Sequence, residues 1–92
     1  MERTRLRIRF HGRVQGVGFR YRAYHAADSL GLTGWVKNCS DGTVLAEIQG
    51  IRSDIERMIA MVGNGTYIDI TDTEIKNLPV DSDEYSFKIK DY

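Results

Sequence analysis

The sequence predicts an α+β domain, an α/β sandwich in which two helices cover one face of an antiparallel sheet. Three observations lead there. Several short runs place apolar residues at alternate positions, the period of half-buried strands. Two longer stretches carry them at helical spacing instead. Clusters of Gly, Asn, Asp and Ser separate these runs in the order strand, helix, strand, strand, helix, strand. Ninety-two residues suffice for one core and not for two, so 1–92 reads as a single domain with its core from about residue 5 onward.

The first strand is marked by Leu6, Ile8 and Phe10 alternating with Arg5, Arg7, Arg9 and His11. After a glycine-rich loop, Ala23, Ala27 and Leu30, with Tyr24 beside them, form a helical stripe that Gly31 is suited to close. Leu32 to Cys39 reads as a second strand. Ser40-Asp41-Gly42 is turn chemistry, and Val44, Ala46 and Ile48 alternate beyond it, so these strands should form a hairpin. Ser53 with Glu56 predicts a capping box for a second helix, whose stripe is Ile55, Met58, Ile59 and Val62 and whose stop is Gly63-Asn64-Gly65. Tyr67 to Ile75 is a fourth strand with imperfect alternation, the sign of a bulge. Leu78 to Glu84 is a loop with the single proline, and Tyr85, Phe87 and Ile89 mark a short closing strand. The order is βαββαβ with one extra strand, the ferredoxin-like plan. Right-handed crossovers put both helices on one face, and the other should display the row Arg5, Arg7 and Arg9.

Composition narrows the function classes. Thirteen basic and thirteen acidic residues cancel, which favours neither a nucleic-acid nor a membrane-surface partner. No apolar run approaches the roughly 20 residues of a membrane span. Met-Glu-Arg-Thr-Arg at the start has no signal-peptide core, and a lone Cys39 supplies neither an internal disulfide nor a zinc cluster. A reduced, cytoplasmic, monomeric protein is expected.

The stretch Gly-Arg-Val-Gln-Gly-Val-Gly-Phe-Arg, residues 12–20, stands out because it joins the first strand to the first helix. Its glycines permit a tight turn with successive N–H groups pointing inward, a concavity that suits an anion. Arg20 falls at the expected start of the helix, where the dipole also favours negative charge. Its planar fork matches phosphate geometry better than a lysine does. A second segment, Gly34 to Gly42, ends a strand that this fold could bring near the loop, and its Asn38 can accept from a water while donating to an oxyanion.

Taken with Leu-Gly-Leu-Thr-Gly-Trp-Val-Lys-Asn-Cys-Ser-Asp-Gly-Thr-Val at 30–44 and Gly50 closing the third strand, the 12–20 run closely resembles the acylphosphatase family. The resemblance covers Arg5 to the C-terminus. It implies a small ferredoxin-like enzyme that hydrolyses acyl phosphates to a carboxylate and orthophosphate; no metal-ligand cluster is evident in the sequence, so no metal or other cofactor is expected. It implies that Arg20 binds the phosphate and that Asn38 positions the attacking water, while the loop itself, Val14, Gln15, Gly16, Val17, Gly18, Phe19 and Arg20, is expected to cradle the phosphate. Partners would be a small acyl phosphate and, as competitors, inorganic phosphate or sulfate. Cys39 and Ala23 stand where many relatives carry hydroxyl residues, and Gly63-Asn64-Gly65-Thr66 replaces a more usual Gly-Pro-rich link.

The chemistry agrees. An acyl phosphate expels a carboxylate whose conjugate acid has a pKa near ~4, so no general acid is needed. Phosphoryl transfer asks mainly for positioning and charge stabilisation. Taken singly, Gly16 and Gly18 could be only a tight turn, Arg20 a surface ion-pair partner and Asn38 a turn residue. Both motifs together reverse those readings. A Cys39 nucleophile is disfavoured, since neither His11 nor His25 is placed as its base. The alternatives are a non-catalytic anion-binding module of the same family, and an RNA-binding sheet. The RNA reading needs stacking aromatics on the central strands, where this chain has arginines.

Overall fold

The computed structural model describes residues 2–90 and contains β1 (Arg3–Arg13), α1 (Phe19–Leu30), β2 (Thr33–Asn38), β3 (Val44–Ile51), α2 (Arg52–Gly63), β4 (Asp69–Leu78) and β5 (Phe87–Lys90). The sheet order is β4-β1-β3-β2-β5. β1 pairs antiparallel with both β3 and β4, and β2 antiparallel with β3, as the ferredoxin-like plan requires. β5 breaks the expected pattern by pairing parallel with β2, so the sheet is mixed.

Alternation decides which face is which. Leu6, Ile8 and Phe10 of β1, with Val44, Ala46 and Ile48 of β3 opposite them, face the helices. Phe19, Ala23, Ala26 and Ala27 of α1 and Ile55, Met58 and Val62 of α2 close over them as one core. Each large apolar side chain fully buried there contributes on the order of 1.5–3 kcal/mol. Gly31 ends α1 in the left-handed conformation, as its position predicts.

Four expectations need correction. Ser53 does not cap α2: β3 runs straight into the helix, extended Ile51 is the N-cap with no side-chain bond, and Ser53 lies inside the first turn. Tyr67 lies outside β4 and is exposed, and Tyr85 lies outside β5.

The fourth concerns the arginine row, which is displayed only in part: Arg7 is exposed and Arg9 half-buried, but Arg5 is not. Arg5 is buried, donating to Glu47 Oε1 at 2.9 Å and Glu84 Oε1 at 2.8 Å. Arg7 donates to the other Glu47 oxygen at 2.6 Å, and Arg9 to Thr43 Oγ1 at 2.7 Å. Gln49 binds both the N–H and the C=O of Asp81, holding the loop before β5 over Arg5. The open face carries an ionic ladder whose Arg5 end lies under a strap.

The β1–β4 register shifts between His11, opposite Asp72, and Gly12, opposite Ile70, leaving Thr71 as the extra residue of a bulge. A β-carbon at Gly12, whose φ is 119°, would collide with the Asp69 carbonyl oxygen. The bulge therefore needs glycine there, and it re-aims the end of β1 into the loop that follows.

Candidate active site

Beyond β1 the chain turns through Val14–Gly18 into α1. Gly16 and Gly18 have φ of 72° and 78°, and a β-carbon at either would meet nothing within 4 Å. Backbone conformation rather than crowding calls for glycine at both. Two flanking side chains anchor the turn. Val14 and Phe19 are buried, and the Phe19 ring lies 4.9 Å from that of Phe10. Val17 packs against the same core.

Gln15 links this loop to the other segment of the site. Its amide nitrogen donates to the Cys39 carbonyl at 2.7 Å and the Thr43 carbonyl at 2.8 Å. These are the two ends of the β2–β3 turn, itself closed by the Cys39 N–H to the Thr43 carbonyl at 2.9 Å. Asp41 fastens the turn further by accepting from both the N–H and the hydroxyl of Thr43, which hold its carboxyl below the usual range. Asn38, the last residue of β2, is thereby fixed beside the loop.

The start of α1 has an unusual charge pattern. Gly18 is its N-cap with no side-chain bond, and the first turn carries no acid. Arg20 and Arg22 stand there instead, cations at the positive end of the helix dipole. Alone that is unfavourable; an anion at the free N–H groups complements it. Arg22 is drawn away, donating to the Met61 carbonyl at 2.9 Å in the last turn of α2. Arg20, half-buried, lines the cavity with the loop.

That cavity, about 240 Å³, is where the sequence-predicted residues meet. Val14, Gly16, Gly18, Phe19, Arg20 and Asn38 all line it. Gln15 and Val17 do not: one is turned to the β2–β3 turn and the other to the core, leaving only their backbone for a ligand. Asn38 Oδ1 is buried with no hydrogen-bond partner among the described residues. An unpaired buried acceptor costs about 1–3 kcal/mol. A ligand or water that brings a donor relieves that cost.

Two residues of the wall were not anticipated. Tyr21 directly follows Arg20, so its neighbour was the available signal. Ile89 arrives through the parallel pairing of β5 with β2, for which alternation gives no signal.

The acylphosphatase family model matches residues 6–89 of this chain. An acylphosphatase from Clostridium acetobutylicum is 42% identical over 83 residues, covering 89% of this chain and 91% of that one. The crystal structure of acylphosphatase from Bacillus subtilis has a TM-score of 0.85 at 35% identity, covering 95% of this chain and 98% of that chain. The structure of T. kodakarensis HypF shares the fold as well, with a TM-score of 0.81 at 30% identity, but there 97% of this chain spans 12% of the other. Sequence and backbone agree over the same span, and the chain belongs to the acylphosphatase family.

Proposed function

We propose that this chain hydrolyses the carboxyl–phosphate bond of acyl phosphates by water attack, as a metal-independent, monomeric, single-domain cytoplasmic enzyme. The observation that carries this reading is the meeting of Arg20 and Asn38 at a left-handed glycine loop on a helix start with no acid of its own. Loop N–H groups and the Arg20 fork hold the phosphoryl oxygens and offset charge that builds on them in transit. The Asn38 amide holds the water, with its unpaired Oδ1 taking a proton donor. The water oxygen bonds to phosphorus as the acyl oxygen–phosphorus bond breaks. The bonding pair leaves with the carboxylate, and a phosphate oxygen of the substrate takes the water's proton. No side-chain acid or base is required, because a carboxylate leaves unaided at neutral pH.

Inorganic phosphate and sulfate carry the same oxygens as the substrate and compete for the loop. One other reading is an anion-binding module of the same family without turnover; a matching fold makes up 12% of HypF, a much longer chain. One assay separates the two: hydrolysis of benzoyl phosphate in excess chelator, beside p-nitrophenyl phosphate as a monoester with no acyl group. The expected result is turnover of the first with the chelator present and little of the second. Activity that vanishes in chelator sinks metal independence. Phosphate binding without any hydrolysis establishes the module.

A further inference from the structure

Arg20, Asn38 and the loop backbone supply nearly all the polar groups of the cavity wall. Among the described residues lining it, Arg20 is the only cation. The rest of the accessible wall is the ring of Tyr21 and the side chain of Ile89, 68% and 37% exposed. Single exposed apolar residues are ordinary. These two, however, come from opposite ends of the sequence and reach the same cavity as Arg20 and Asn38. Ile89 is set by the sheet register, opposite Val36 and two residues short of Asn38 along β2. Tyr21 is ordered by its neighbours: its ring stacks on His25 at 5.6 Å and 21°, and His25 meets Tyr24 edge-on at 5.5 Å and 78°. A ring held this way gives up little freedom when something packs against it.

Once the phosphate occupies the loop, the acyl group has an aromatic ring and an aliphatic chain to lie on. Among the described residues of the wall, the Tyr21 hydroxyl is the sole remaining side-chain polar group, and no second cation awaits a second phosphate. We propose that Tyr21 and Ile89 form an acyl-group platform, selecting acyl phosphates with an aromatic or bulky apolar acyl group over small, polar or doubly anionic ones. This rests on the hydrolytic reading above and adds a substrate class to it.

The test compares kcat/KM for benzoyl phosphate and acetyl phosphate in the parent, Tyr21→Ala, Tyr21→Phe and Ile89→Ala. Each variant's benzoyl-to-acetyl ratio is taken relative to the parent's, which cancels the substrates' different intrinsic reactivity. An offset or edge-on ring contact corresponds to roughly threefold to tenfold in this ratio. Tyr21→Ala and Ile89→Ala should each lower the ratio, Tyr21→Ala by that amount, whereas Tyr21→Phe should hold it. The non-hydrolysable pair phenacylphosphonate and acetonylphosphonate should lose the same discrimination in binding. Ratios unchanged in both alanine variants, or equal losses on both substrates, overturn the platform. A parent that binds both phosphonates but hydrolyses neither acyl phosphate overturns the hydrolytic reading instead, and the phosphonate discrimination then judges the platform alone.

Discussion

Arg20 and Asn38 share a cavity but ask different things of a substrate. The guanidinium fork meets phosphate oxygens before and during transfer, so Arg20→Lys, which keeps charge and loses the fork, should weaken phosphate binding and turnover together. Losing a transition-state arginine in other phosphoryl-transfer systems costs roughly 10³–10⁵ in rate, an upper guide for this residue. Asn38 acts on the water. Asn38→Ala should depress kcat by roughly 10²–10³, the usual loss for one oriented amide, with phosphate affinity nearly intact. Turnover numbers and phosphate dissociation constants for both variants decide it. If Asn38→Ala lost phosphate binding as severely as Arg20→Lys and kept its kcat, the roles would be reversed. Both residues were legible because each sits in a motif where its chemistry has a reason. Gln15 was legible only as part of the loop. The partners of its side chain are backbone carbonyls of Cys39 and Thr43, and any residue type supplies a carbonyl.

At the scale of elements, the β1–β3 pairing shows how alternation can be right about faces and wrong about exposure. Arg5, Arg7 and Arg9 do point away from the core, but Glu47, at an outward position of β3 opposite Arg7, draws both Arg7 and Arg5 into ion pairs. Glu84 closes over Arg5 from a loop far away in sequence, which no strand period encodes. The Ser53 cap failed for a related reason: capping chemistry presumes a chain entering from a loop, whereas here a paired strand delivers it. The ladder carries a pH consequence. Burial raises the Glu47 carboxyl, but hydrogen bonds from Arg7 and Arg5 outweigh it and the net shift is downward. A carboxyl whose folded pKa lies below its unfolded value stabilises the fold above the unfolded pKa, and that stabilisation is lost as pH falls through the folded pKa. Stability should therefore decline from about pH 5 downward. Glu47→Gln should flatten that decline and, by removing the carboxylate that pairs with both Arg7 and Arg5, cost about 1–3 kcal/mol at neutral pH. Urea unfolding of parent and variant across pH checks both. An acid limb of unchanged slope in the variant would place the titrating groups elsewhere.

At the scale of the molecule, the site is where the fold's separate pieces converge. The loop after β1 with the start of α1, the end of β2 and the closing strand β5 all contribute to the cavity wall, and only folding brings these three segments together. An anion that needs all of them binds the folded chain and not the unfolded one. Mass action then ties site to stability: a ligand at a hundredfold excess over its dissociation constant adds about 2.7 kcal/mol. For a chain of this size that is a rise in Tm on the order of 10–20 °C. Inorganic phosphate should give this shift, and sodium chloride at matched ionic strength should not, because screening alone supplies no bond to the loop. Arg20→Lys should lose most of the shift, since it weakens the anion's hold while leaving the core of Leu6, Ile8, Ile48 and Ile55 untouched. Thermal melts with increasing phosphate, for parent and variant, give the answer directly. A Tm unmoved at phosphate concentrations that inhibit hydrolysis would mean that the inhibiting anion sits somewhere other than Val14–Arg20, and the loop would then have to be explained as a turn and nothing more.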